Sequence, residues 1–184
     1  PILPASAVSD RRVPGLPDLP VVDARRGSGC AGAGRRPRRS ARGRAATRKA
    51  VLCLLNRQRR AHRLPTLRSN RRLLRAAEGH SRSMVRLSYF SHFEPGGVAL
   101  LARLKHSGYL RRTRGWSIGE NLGAGLGPGA TPRAMVNAWM ASTPHRANIL
   151  DGKFREIGLG VVGGVPGRRR ASGATFTTDF GVRH

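Results

Sequence analysis

The chain has 184 residues, of which 35 are Lys or Arg and 9 are Asp or Glu, giving a formal charge of +26, and 39% are apolar. That length fits one domain with an appendage, and no apolar run approaches the ~18 residues of a membrane-spanning helix. Two cysteines, Cys30 and Cys53, are too few to build a disulfide-held miniprotein.

Residues 1–46 hold ten Arg, three Asp, many Gly, Ala and Pro and no aromatic, and no apolar period persists there. This composition predicts a disordered segment. The opening Ile2-Leu3-Pro4-Ala5-Ser6-Ala7 has the apolar, small-x-small character of the tail of a secretory signal, or else of an ordinary Ala/Pro-rich leader.

Periodicity begins near Arg48, so residues 47–184 are expected to form the folded domain. Val51, Leu52 and Leu55 start a helical stripe that Pro65 must close or redirect. Leu73, Ala77, His80, Met84 and Leu87 then share one face of a helix of about five turns. A third helix is expected from about Val98 to Gly108, with Lys105 and His106 in its last turn. After a glycine-rich section from Trp116 to Gly129, Thr131-Pro132 caps a fourth helix that buries Met135, Val136, Trp139 and Met140. Ile157, Leu159 and Val161 alternate with glycines, and Phe176, Thr178 and Phe180 alternate with polar residues. Together they predict an antiparallel pair joined by the Gly163–Gly173 stretch. Helices and strands are segregated rather than alternating, which predicts an α+β domain.

Histidines and acids are scarce enough for placement to be informative. His92 ends the second helix, Glu120 lies between Gly119 and Asn121, and His145 follows the fourth helix; element ends are where functional groups are displayed. His80, on an apolar stripe, reads as a hydrogen-bonded core histidine, and His62, His106 and His184 as surface groups. There is no GxSxG elbow, P-loop, dinucleotide fingerprint, HExxH or CxxC. A hydrolase could draw on Ser81 or Ser142 with His145 and Glu120, yet nothing local strains either serine into an exposed elbow.

Several stretches, in order, resemble the CAP superfamily (SCP domain) in its bacterial form. They are Leu54-Leu55-Asn56-Arg57-Gln58-Arg59, Ala77-Glu78-Gly79-His80-Ser81 with Met84, Tyr89-Phe90-Ser91-His92, Arg103 with Gly108-Tyr109, Gly119-Glu120-Asn121-Leu122, Trp139-Met140-Ala141-Ser142 with His145-Arg146-Ala147-Asn148-Ile149-Leu150, Ile157-Gly158-Leu159-Gly160 and Asp179-Phe180-Gly181. The resemblance implies an α-β-α sandwich with a small antiparallel sheet between helical layers. It also implies a secreted protein with a cleft that many members build from two histidines and two acids. His92, Glu120 and His145 match three of those positions, whereas Ser142 stands where the family has its second acid. As metal donors, His92, His145 and Glu120 would suit Zn2+ or another divalent cation only weakly, since Ser142 is a poor ligand. No cofactor is therefore required. Relatives often pair a first-helix cysteine with one shortly after it, but that slot here reads Arg63-Leu64. Cys53 packing as a small apolar residue and Cys53 pairing with Cys30 both stay open.

The functional expectation is a secreted, monomeric, non-enzymatic binding module. The alternatives are a hydrolase using His92, Glu120 and His145 with Ser142 or Ser81, and a polyanion binder. All basic residues except Lys49, Lys105 and Lys153 are arginines, and residues after position 46 carry a net charge of +19. That excess reflects either coding bias or an anion-binding surface, for which anionic envelope components and lipid headgroups are candidate partners. No aromatics interleave with the arginines, so nucleic acid should bind only non-specifically and with steep salt dependence.

Overall fold

The computed structural model describes residues 29–184; the signal-like opening and the rest of the first 28 residues lie outside the described part. A four-stranded sheet, in the order β1-β3-β4-β2, lies between two helical layers. Its strands are β1 (Arg68–Ser69), β2 (Trp116–Leu126), β3 (Glu156–Gly163) and β4 (Gly173–Arg183). On one face lie α1 (Ala41–Ala61), α4 (Pro132–Ala141) and α5 (Thr143–Leu150); on the other lie α2 (Arg71–Leu87) and α3 (Leu100–His106). The expected α-β-α sandwich is present. The sheet is mixed rather than purely antiparallel, because the short β1 runs parallel to β3. No helix among the described residues is long and apolar enough to cross a membrane.

Each helix follows from its stripe and caps. α2 starts where the Asn70 side chain accepts from the backbone N–H groups of Arg72 and Leu73, and it buries Leu73, Ala77, His80 and Met84. Leu87, the last residue of the expected stripe, is half exposed because the helix has run past the sheet. The Thr131 hydroxyl caps α4, with Pro132 at its first position, and Met135, Val136, Trp139 and Met140 are all buried as expected. His145, expected just past that helix, sits inside the separate short helix α5.

The glycine-rich section is the main departure. Residues 116–126 form an eleven-residue strand paired along its whole length with β4. Its glycines save space rather than make loops. A Cβ at Gly123 would strike Met135 Sδ, and one at Gly119 would crowd Asn148 and Phe154.

The N-terminal segment departs too. Residues 29–46, expected to be disordered, are ordered: Cys30 and Ala33 are buried, Cys30 is disulfide-bonded to Cys53, and α1 begins at Ala41 with Ser40 as its cap. The backbone carbonyl of Ala33 also accepts from Arg133 N–H at the start of α4. Composition alone misjudged the segment, since one covalent link and two small buried residues anchor an otherwise polar, Arg-rich stretch.

The main core fills the space between the sheet and the α1, α4 and α5 layer, around Trp139, Phe176 and Phe180. A smaller cluster of Leu73, Ala76, Leu104 and Tyr109 lies under α3. Between sheet and α2 the contact is so close that a Cβ on Gly158 or Gly160 would run into the α2 backbone at Leu73 or Ala77. This tight seat of α2 on β3 brings the end of α2 and the loop after it over Glu120.

Candidate functional site

Side chains alternate across a strand, so Glu120 and Asn121 point to opposite faces of the sheet. Asn121 faces α5, where its amide donates to the His145 carbonyl and its oxygen accepts from Asn148. Glu120 therefore faces the α2 and α3 layer, where the structure builds a buried polar cluster around it. Its Oε1 accepts from His92 Nδ1 at 2.7 Å and its Oε2 from an Arg103 guanidinium nitrogen at 2.6 Å. Arg103 also donates to the carbonyls of His92 and Val98, so one guanidinium fastens the loop after α2 to β2. His80 Nε2 is 4.0 Å from Glu120 and donates to the Ser91 carbonyl at 3.0 Å; its Nδ1 faces the Tyr89 hydroxyl and Glu94.

The electrostatics follow from burial and neighbours. Burial alone would raise the Glu120 pKa. The His92 hydrogen bond and the charge of Arg103 outweigh it and hold the carboxyl below the usual range. Burial lowers the His80 pKa despite Glu120 and Glu94, which keeps its ring neutral. Asp179 is the cross-strand neighbour of Glu120 and is completely buried. Among the described residues neither of its oxygens has a donor, and burial followed by the charge of Glu120 raises its pKa well above the usual value. Burial and the neighbouring carboxylate thus both favour the protonated form of Asp179, whose O–H could be given to Glu120.

Of the residues expected from the sequence, His92 and Glu120 are brought together. Ser142 and His145 are joined to each other, His145 Nδ1 lying 2.8 Å from Ser142 Oγ, on the side of the sheet that Asn121 faces. Ser81 is buried and bonded to Thr177. His80, expected as a hydrogen-bonded core histidine, is that and also borders the cluster.

The divalent metal suggested by the resemblance does not fit these residues. Both Glu120 oxygens and His92 Nδ1 are already committed, and among the described residues no three His, Cys, Asp or Glu side chains converge on a point that could hold an ion. Sequence reasoning placed Arg103 and Asp179 in stretches that resemble the family but gave neither a role in the site. An arginine is no signal in a chain so rich in arginine, whereas an Asp alternating with phenylalanines on a strand was a visible buried charge.

Two cavities flank the cluster. One, of about 180 Å3, is lined by His92 and Glu120 with Phe93, Leu100, Leu101 and Ile118. The other, of about 460 Å3, lies between α2 and α3, bounded by His80, Glu94 and Arg103. His92 Nε2 is buried and has no hydrogen-bond partner among the described residues. In the tautomer that gives Nδ1–H to the carboxylate, Nε2 is the ring's acceptor.

Residues 52–179 match the model of the CAP family, described as the cysteine-rich secretory protein family. The chain is 33% identical over 132 residues to the uncharacterized protein YkwD of Bacillus subtilis (strain 168), an alignment covering 72% of this chain and 46% of that protein. It therefore spans less than half the length of that relative. Among solved structures it resembles an extracellular protein containing an SCP domain from Bacillus anthracis, with a TM-score of 0.56 at 24% identity, covering 74% of this chain and 42% of that one. It also resembles an outer surface protein of Borrelia burgdorferi, with a TM-score of 0.61 at 19% identity, covering 75% and 93%. Identities this low speak for a shared fold alone. The family match over most of the chain and the closer Bacillus relative carry more: this chain belongs to the CAP family.

Proposed function

We propose that the chain works outside the cytoplasm as a monomeric, non-enzymatic binding module that takes a hydroxyl-bearing apolar ligand, such as a lipid, in the cleft beside His92. The observation that carries this reading is the commitment of both Glu120 oxygens to His92 and Arg103. A carboxylate so engaged, with its pKa lowered, is a poor general base; it works as a fixed brace. What the cleft offers a ligand is the lone pair of His92 Nε2 among Phe93, Leu100, Leu101 and Ile118, which suits an O–H group on an apolar body. The Cys30–Cys53 disulfide supports an oxidising compartment. So do the extracellular and outer-surface relatives.

The test is calorimetric titration of the full chain and its His92→Ala variant with octanol. Saturable binding lost in a folded variant is the expected result, and equal binding by both would refute the cleft. The Ser142–His145 contact favours a second reading, a serine hydrolase. Labelling by a fluorophosphonate that disappears in Ser142→Ala would replace the binding module with that enzyme; absence of labelling is expected.

A further inference from the structure

The segment before the family match makes a surface that the cleft does not use. Residues 30–40 are held by the Cys30–Cys53 disulfide at one end and by the start of α1 at the other, and they lie against the β3–β4 connection. Arg39 donates to the carbonyls of Arg169 and Ala171, and its stem lies over Gly163, where any side chain would displace it. Arg36 donates to the Ser172 hydroxyl. Between segment and connection lies a concavity of about 320 Å3 lined by Arg36, Arg39 and Arg170 with Ser172. A second concavity of about 350 Å3, lined by Arg35, Arg36, Arg38 and Arg42, shares Arg36 with the first.

All of these arginines are exposed, and none has a carboxylate within ion-pair distance among the described residues. The Arg170 guanidinium bonds to no described residue at all. Uncompensated guanidiniums cost free energy through mutual repulsion, and planar N–H forks match phosphate oxygens. Nothing aromatic lies in residues 29–46 on which a nucleobase could stack. The site is about 20 Å from Glu120, six residues along β4 from Gly173 to Asp179.

We propose that these two adjoining concavities bind consecutive phosphate groups of a linear, base-free polyphosphate or phosphodiester chain, in a site that exists only while the Cys30–Cys53 disulfide holds the arginine segment against the β3–β4 connection. The inference goes beyond the cleft reading and stands or falls separately, since none of its residues touches His92 or Glu120.

Its test is titration of the full chain with tripolyphosphate at ~0.15 M salt, where diffuse surface attraction is largely screened. The Arg36→Ala/Arg170→Ala variant is expected to bind about tenfold more weakly, and Arg170→Ala alone severalfold, which no folding defect would explain. Arg111→Ala/Arg112→Ala removes the same charge at the opposite end of the sheet and should change affinity less than about twofold. Cys30→Ser/Cys53→Ser, folded by circular dichroism, should lose affinity as the first pair does. Equal weakening by both arginine pairs would reduce the site to net charge, and unchanged affinity without the disulfide would refute the assembly. Tighter binding of single-stranded DNA or of phosphatidylglycerol vesicles through Arg36 and Arg170 would overturn the choice of ligand.

Discussion

Glu120 keeps a full negative charge with almost no water around it, and that charge is affordable only because Arg103 and His92 meet it directly. Glu120→Gln keeps the shape but leaves the Arg103 guanidinium buried without its counter-charge. The expected loss is about 3 kcal/mol of unfolding free energy by urea titration. The pH dependence has a definite sign. The folded pKa of Glu120 is depressed, so its contribution is complete above the ordinary carboxylate pKa and disappears as pH falls through the lowered folded value. The acid limb of the stability curve should therefore flatten in Glu120→Gln.

Asp179 has the opposite sign, because its raised pKa keeps a proton that the unfolded chain gives up. Stability is complete below the ordinary Asp pKa and falls by about 1.4 kcal/mol for each pH unit above it, until the folded group ionises. Asp179→Asn removes that loss. Relative to the parent, its melting temperature should rise as pH increases above the ordinary Asp value, and a difference that does not change with pH would show that Asp179 ionises in the fold as it does in the unfolded chain.

At the scale of elements, what was legible depended on whether a residue's role was written in its period. The α2 stripe and the Thr131-Pro132 cap were readable because burial on one helix face imposes a spacing and a cap imposes a residue type. β2 was not readable, since Gly119 and Gly123 there serve the bulk of neighbours distant in sequence. The same holds for Arg103, whose three partners come from the loop after α2, the lead-in to α3 and β2. His92 and Glu120 were found because histidines and acids are rare here. Their pairing needed the register of β2 and the descent of α2 onto the sheet.

That descent gives the element-scale prediction. Gly160→Ala places a methyl against the Ala77 carbonyl and must lift α2, with expected destabilisation of about 2 kcal/mol in urea. Since α2 leads into the loop bearing His92, the same substitution should weaken octanol binding. An Ala variant as stable as the parent would mean that α2 rides further from the sheet than the structure shows.

For the whole molecule the dominant fact is charge, since +26 on 184 residues opposes compaction everywhere. The acids present are mostly spent locally: Glu78 meets Arg44, Arg48 and Arg82, while Glu156 meets Arg183 and accepts from Tyr109 and Asn70. Those partly exposed pairs are weak, so screening them costs less than relieving the repulsion among unpaired arginines gains. Raising NaCl from ~10 mM to ~0.15 M shortens the Debye length from about 30 Å to about 8 Å and should raise the melting temperature by about 3 °C or more. A fall would mean that the ion pairs outweigh the repulsion. Phosphate separates general screening from a built site. At matched ionic strength it should stabilise the native chain beyond chloride, because a ligand that binds only the folded state adds its binding free energy to unfolding. In Arg36→Ala/Arg170→Ala the phosphate excess should vanish while the chloride effect persists, because the first needs two guanidiniums at one concavity and the second needs only the sum of charge.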